Sequence, residues 1–418
     1  MTAPLSAIPS PAKSVAHAES SMARGLIEIG VVIAGQVDAI DRRAITLGLQ
    51  QVREFLQLHF EEFHFEISPL RRPELAVASR AEPSVLLQQA VQERDLRHWD
   101  FVIVLTAAEL KGSYMPYCFA ALSRPLDAAI ISLSLIDPIA AGETLDEARR
   151  TERIAFRLSR LLLHALGHLS GLPRSDVPTE LLFHPADASE LDAMFSFSAE
   201  QRARQRAALA EIADQRLEEG IGLRMSWPTF VVRAAWINRR EIGQAIVAAR
   251  PWQFPQRLSR LTIAAVSTIT ILYMTAEAWD LALTQKWWQI ALLSAGTLGV
   301  TTAYVVVRQQ LLVRRGRRRS EQTVVTSASA LGIVLSGMFV TWVLISLLGN
   351  GLSWLLFDPQ LIASWAAASD LAADAVRPAH RLNMSLFSAS LGLLIGALGA
   401  SFESQTYFRH IIFVDEEL

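Results

Sequence analysis

Two histidines stand where they can act together. The mostly apolar run Leu161-Leu-Leu-His-Ala-Leu-Gly-His-Leu-Ser-Gly-Leu-Pro-Arg174 carries His164 and His168 four positions apart. Residues at that spacing share one face of a helix, so both imidazoles can reach a single divalent cation. Gly171, three residues further on, is where such a helix would end in a left-handed cap. The same spacing also serves histidines that merely pack in a core or cap a helix, and both readings stand on spacing alone. Other reactive side chains offer less. Cys118 is the only cysteine, has no helper beside it in sequence and reads as a packing residue. No nucleophile elbow surrounds Ser113 or Ser132–Ser134, and no glycine-rich phosphate loop occurs. Asp187, Glu190 and Asp192 read as a solvated or capping cluster.

The histidine pair and the glycine form the skeleton of the zinc-peptidase motif H-E-x-x-H-x-x-G-x-x-H. Ala165 stands where that motif has the glutamate that activates zinc-bound water. General-base help is typically worth about 10²–10⁴ in rate, and an alanine supplies none. Arg174 stands at the usual third-ligand position. A guanidinium ~4 Å from a divalent ion would oppose its binding by roughly 8 kcal/mol at an effective dielectric near 20. No catalytic residue is therefore assigned. If zinc is held, His164 and His168 hold it, with His184 or Asp176 as the third ligand; otherwise no cofactor is expected.

This segment resembles the archaemetzincins, a branch of the metzincins. In that family the motif continues with cysteines and a turn methionine, then a final C-x-x-C pair that completes a second, structural zinc site. Here Ser175 and Glu180 stand where cysteines would be, Leu182 where the methionine would be, and Phe197-Ser-Ala-Glu-Gln201 resembles the last pair with both cysteines gone. Upstream, Phe101-Val-Ile-Val-Leu-Thr-Ala-Ala-Glu-Leu110 is similar to a strand and turn of the family, and Pro116–Ala120 falls at its Phe-Gly step. The resemblance covers about residues 25–205. It implies a zincin-like α/β (α+β) fold, with Ala128–Leu135 as the edge strand over the cleft and Leu133, Ser134 and Leu135 lining it. With the base, the third ligand and the turn methionine all replaced, it implies a degenerate zinc motif, a pseudoenzyme.

The elements that must position these residues are legible in outline. Residues 1–24 are rich in Ala, Pro and Ser and read as a disordered lead. Leu26–Ile33, Phe63–Ile67, Asp100–Leu105 and Ala128–Ile136 read as strands. Asp41–Phe60, Pro83–Glu93 and about Glu143–Ser170 have helical spacing. Alternating strands and helices give one domain over 25–215. A charged helix (Ala199–Glu219) closes it, and 216–259 reads as juxtamembrane amphipathic and basic helices.

The rest is different in kind. Leu261–Phe357 holds 10 charged residues in 97, six of them arginines between Arg308 and Arg319. Four stretches are long enough to cross a bilayer: Leu261–Trp279, Trp287–Val307, Thr323–Leu348 and Leu382–Phe402. They make 260–408 an all-α transmembrane domain, with 409–418 a tail; 351–369 is short or interrupted and reads as interfacial or re-entrant. The arginine clusters place the 25–215 domain and both termini in the cytoplasm, at a bacterial-type inner or plasma membrane. Trp279, Trp287 and Trp288 fit an outer aromatic belt. Ser388, Gly392, Gly396 and Ala400 form a small-residue stripe for packing within the helix set or for a homo-oligomer contact. The net charge of −2 argues against a nucleic-acid partner.

Two functions fit. The first is a membrane-anchored, non-catalytic metzincin-like protein that binds a protein segment or partner subunit at the cytoplasmic face. The alternative is a membrane-bound zinc metallopeptidase with an altered ligand set. A small-solute transporter with a regulatory domain is a third reading, weakened because no span carries a charge at its middle.

Overall fold

The computed structural model describes residues 25–75, 80–113, 115, 118–213, 226–312, 321–365, 376–400 and 404–418. The sequence expectations on 1–24, 116–117, 214–225, 314–319, 366–369 and 401–402 lie outside the described residues.

Strands β1 (Gly25–Ala34), β2 (Phe63–Arg72), β4 (Phe101–Thr106) and β7 (Ala128–Ser132) run parallel in the order β2-β1-β4-β7. A short parallel pair, β3 (Arg80–Ala81) and β5 (Glu109–Leu110), lies apart from them. Their side chains alternate between two apolar layers, as the period of two requires. Ile27, Ile29, Val31, Ile103 and Ile131 face helices α1 (Ala39–His59) and α3 (Glu147–Leu169). Val32, Val102, Val104 and Ile130 face α2 (Pro83–Arg97). Burial on both sides explains why these strands read as continuous hydrocarbon.

The sheet's far edge corrects the expected cleft. Ala128–Ser132 is an interior strand, not the edge. Beyond it lies β6 (Ala120–Ser123), antiparallel, and beyond that β8 (Glu416–Glu417), also antiparallel. Leu133 is buried in the core, and the half-buried Leu135 packs against it. The chain leaves β7 after Ser132, whose hydroxyl donates to Ala108 O at 2.7 Å.

Helix α4 (Ala199–Ile212) closes the domain, followed by α5 (Trp227–Ile237), α6 (Arg239–Ala248) and the single turn α7 (Phe254–Arg257). Then come α8 (Ser259–Tyr273), α9 (Ala276–Thr284), α10 (Trp287–Arg308), α11 (Glu321–Leu356), α12 (Pro359–Trp365), α13 (Pro378–Ala400) and α14 (Gln405–Phe413). Among the described residues α10, α11 and α13 are long and apolar enough to cross a membrane. The expected first span is a pair, α8 and α9, bent by 89°. At ~1.5 Å per residue, α8 is about 22 Å long, short of a ~30 Å hydrocarbon core. It stops where Thr275 turns extended, and Trp279 Nε1 caps the break by donating to Tyr273 O at 3.0 Å. Trp279 is therefore buried and leaves the expected belt, whereas Trp287 and Trp288 are exposed. The third expected span continues to Leu356 and absorbs the start of the 351–369 segment.

The small-residue stripe of α13 is covered within the chain. Ser388, Gly392 and Gly396 are buried, and a Cβ at Gly392 or Gly396 would lie 3.0 Å from Ala265 O or 2.8 Å from Leu261 O of α8. Within the chain, Gly392 and Gly396 pack against α8. The sheet's α2 side is continuous with this helix set: Val104, Leu87, Phe254, Met338, Leu393 and Ile411 belong to one apolar cluster.

Candidate functional site

Helix α3 presents the histidine pair. Its inner face (Ile154, Leu158, Leu161, Leu162, Ala165) is buried against the sheet and α1. Arg157, 1% exposed, fixes the helix by donating to Ile136 O at 3.0 Å and to Asp192 at 3.0 and 2.8 Å. Asp192 is thus an ion-pair partner of a buried arginine, beyond the solvated cluster expected of it. Gly171 ends the helix at φ +86°, with its N–H donating to His168 O and the Leu172 N–H to Gly167 O. A Cβ there would overlap the Arg124 guanidinium. Gly167 lets Leu182 and Phe197 press against the helix, since a Cβ would meet them at 2.9 and 3.1 Å.

His164 is buried, and its Nδ1 lies 2.8 Å from Leu181 O. A carbonyl only accepts, so Nδ1 carries the proton and Nε2 points its lone pair onward. Burial first, then the neighbouring His168 charge against the pull of Glu416, pushes His164 down to about 4 and keeps it neutral. His168 is the opposite case. Its Nε2 is 3.1 Å from Asp415 Oδ2 and its Nδ1 is 2.6 Å from Glu416 Oε2. Burial alone would lower it, but the two carboxylates outweigh burial and push it up to about 10. The surroundings favour the imidazolium, with Nε2–H donating to Asp415 and Nδ1 in ion-pair contact with Glu416.

The Glu416 carboxylate, 1% exposed, sits at the centre. Besides His168 it contacts Arg174 Nε, His184 Nδ1 at 3.6 Å and His164 Nε2 at 4.0 Å. Burial alone would raise its pKa; His168 and its neighbours instead hold it well below the usual carboxylate range. Two carboxylates, Asp415 and Glu416, face two cations, His168 and Arg174, so the buried cluster is close to neutral, as burial demands.

The whole segment is seated. The Asp415 N–H donates to Leu122 O at 3.1 Å and the Leu418 N–H to Ala120 O at 2.9 Å. Arg124 N–H donates to Asp415 Oδ1 at 3.4 Å. Glu417 points the other way and accepts from the Ser113 and Met115 N–H groups at 2.8 and 3.1 Å, with His410 Nε2 at 2.7 Å. Leu418 is fully buried in the sheet's α1/α3 core.

His164, His168, Arg174 and His184 therefore meet, and Asp176 does not: it is exposed and outside this cluster. Sequence reasoning missed Asp415, Glu416, Glu417, Leu418, Arg124 and His410. The only trace was a run of three acids after an amphipathic helix, with nothing nearby to pair them. The donor set does not fit zinc. His168 commits both nitrogens to carboxylates and a guanidinium occupies the third position; among the described residues no group of three or more metal-binding side chains is so arranged.

Ser175, Glu180, Ser198 and Gln201, where the sequence resemblance leads one to expect cysteines, carry other chemistry. Glu180 Oε2 accepts from Ser175 Oγ at 2.5 Å and from Gln201 Nε2 at 2.8 Å. Gln201 Oε1 accepts from the Ser198 N–H at 3.0 Å, and Ser198 Oγ accepts from the Gln201 N–H at 3.1 Å. Ser175, Glu180, Ser198 and Gln201 thus form one hydrogen-bonded cross-link between the 175–183 loop and the start of α4.

No protein-family model and no curated protein matches the chain. Among solved structures it is similar to an archaemetzincin from Methanopyrus kandleri, at 17% identity and TM-score 0.35, over 44% of this chain and 97% of that one. It is also similar to a zinc-dependent peptidase from Methanocorpusculum labreanum, at 16% and 0.32, over 42% of this chain and 99% of that one. A third is an archaemetzincin from Archaeoglobus fulgidus, at 15% and 0.32, over 43% and 99%. These likenesses concern fold and cover less than half of this chain.

Proposed function

We propose that this is a membrane-anchored protein whose metzincin-like domain binds an extended protein segment in its cleft without cleaving it. The observation that carries this reading is β8: a peptide strand is added to the free edge of β6, with Glu416 of that strand held among His164, His168, Arg174 and His184. Strand addition gives affinity through main-chain hydrogen bonds and specificity through side-chain pockets. Ala165 offers no base, and Arg174 replaces a ligand by a cation. In this reading the helices α10, α11 and α13, with α8–α9, form the anchor, and the arginine asymmetry of the sequence supports a cytoplasmic domain and cytoplasmic termini.

The test has two parts. Full-length protein in detergent is incubated with a mixture of peptides and analysed by mass spectrometry with and without chelator. No cleavage is expected; chelator-sensitive cleavage sinks the reading. For topology, a cysteine introduced at Gly316 should resist labelling from outside intact cells. Cys118 is fully buried and adds no background. Labelling from outside would reverse the orientation.

A further inference from the structure

We infer that the cleft is a recognition site for an extended acidic segment of the form Asp-Glu-Glu-Leu, and that residues 415–418 are its resident occupant, which a competing acidic segment must displace. This rests on the reading of the cleft as a binding site and names the chemistry of its ligand.

The four positions meet different parts of the fold, with His168 shared between the first two. Asp415 is met by His168 of α3 and by the main chain of Arg124 in the turn after β6. Glu416 is met by His168, Arg174, His184 and His164. Glu417, on the opposite face of the strand, is met by two backbone N–H groups and His410 of α14. Leu418 enters the core beside Phe119 and Leu122. A strand alternates its faces, so acids at the second and third positions must find donors on opposite sides of the sheet, and they do. A peptide with amides at these positions would leave the largely buried His168 cation without an anion, which is costly, and would leave the half-exposed Arg174 without its partner. The cluster therefore selects by charge, where a metal centre would have selected a carbonyl.

Residence in the cleft is favoured by tethering. Helix α14 docks on α2 through Phe408, Ile411 and Ile412, with Ser84 Oγ donating to Thr406 O at 3.0 Å. One residue, Val414, then links it to Asp415. A short link of this kind raises the effective concentration of the segment into the millimolar range or above. An outside peptide sees only the fraction of molecules in which the segment has left, and its apparent affinity falls by that fraction.

The experiment uses full-length protein in detergent and the fluorescent peptide acetyl-Val-Asp-Glu-Glu-Leu-amide. Asp415→Asn with Glu416→Gln removes the resident charges at constant shape. This double variant should bind the peptide at least tenfold more tightly than the unaltered chain. Adding Arg174→Gln should weaken that binding at least tenfold, and the Asn-Gln-Gln-Leu peptide should bind at least tenfold more weakly. In case the double variant folds poorly, hydrogen exchange of residues 414–418 is followed in the unaltered chain. Millimolar acidic peptide should speed it, and the amide-bearing peptide should not. Equal binding of the two peptides, or no gain in the double variant with no change in exchange, overturns the inference. Cleavage of the peptide, read by mass spectrometry in the same samples, would instead overturn the binding-site reading beneath it.

Discussion

His168 Nε2 lies 3.1 Å from Asp415 Oδ2, across 247 positions of sequence. The imidazole is on the third helix of the α/β domain, and the carboxylate arrives after every helix of the apolar half has been laid down. The contact joins the two halves at the one place where sequence suggested chemistry. It also gives that place a different chemistry from the one the histidine spacing suggested: a protonated ring between carboxylates, where a metal needs a neutral one.

The Ser175–Glu180–Ser198–Gln201 cross-link should carry measurable stability. Glu180→Ala removes the acceptor of two charge-assisted hydrogen bonds, each worth about 1.5–3 kcal/mol at most for a partly exposed group. A loss of about 2–3 kcal/mol is expected, read as a lower melting temperature of the α/β domain. A variant that melts like the parent would mean that the loop is held by Leu182 and Phe197 packing alone.

Gly171→Ala should destabilise the same domain. At φ +86° a left-handed alanine costs about 1–2 kcal/mol, and here the new methyl would also displace the Arg124 side chain. The expected shift is about 2–8 °C, at 2–4 °C per kcal/mol for a domain of this size. Gly243, where a Cβ meets nothing within 4 Å, provides the control: alanine there should leave the melting point unchanged or raise it.

Much of this was legible locally. Helix α3, its histidine face and its Gly171 cap follow from spacing within about twenty residues, and β1, β2 and β4 announce themselves as apolar runs. What was not legible was pairing. Ala128–Ser132 reads as a strand, but nothing in it says that β6 lies beyond it, because strand order is settled by contacts far apart in sequence. The same holds for β8, two residues long and made of glutamates, a poor strand former. The break between α8 and α9 at Met274–Thr275 has no Gly or Pro to mark it. The stripe at Ser388, Gly392 and Gly396 reads as a packing surface, yet only the structure places α8 beside Gly392 and Gly396.

Asp41 gives a pH dependence away from the cleft. Burial, then the charges of Asp38 and Asp137 against Arg150, pushes it up to about 6. For an acid the folded state then binds a proton more readily than the unfolded chain, so this group stabilises the fold below about pH 4. That contribution disappears as the pH rises through about 6. Ionised Asp41 costs stability at neutral pH. Asp41→Asn should raise stability at pH 7.5 by about 1 kcal/mol, discounted for its partial exposure, and do nothing at pH 4. A gain of equal size at both pH values would show that ionisation is not the cause.

The stripe on α13 yields a prediction for the apolar half. Gly392→Leu or Gly396→Leu must push α8 away, because the carbonyls of Ala265 and Leu261 already stand at 3.0 and 2.8 Å from where the first side-chain carbon would lie. Small residues are what allow helices to approach this closely in lipid, where packing is the main attraction. Either substitution should lower yield and thermal stability in detergent, and Leu398→Ala, on the exposed side of the same helix, should not. If the leucine variants are as stable as the parent but change its oligomeric state, the stripe contacts a second copy instead.

Arg174 is the residue that most clearly separates recognition of an acid from binding of a metal. Its guanidinium neutralises Glu416, and its charge ~4 Å from a divalent ion would cost roughly 8 kcal/mol at an effective dielectric near 20. Arg174→His removes that repulsion and supplies an imidazole at the third-ligand position of the motif. His164 already has its Nδ1 proton on Leu181 O and its Nε2 free, the state a ligand needs. Glu416, no longer paired with a guanidinium, becomes an anionic donor in the middle of the set. The unaltered protein, dialysed against micromolar zinc, should retain well under one zinc per chain, and Arg174→His should retain close to one. His164→Ala in that background should abolish it. Stoichiometric zinc in the unaltered protein would mean that Arg174 swings away and that His184 takes its place, restoring the altered-ligand peptidase as the reading to pursue. Absence of zinc in both would mean that the two carboxylates on His168, rather than Arg174, are what keep the ion out, and Asp415→Asn added to Arg174→His should then admit it.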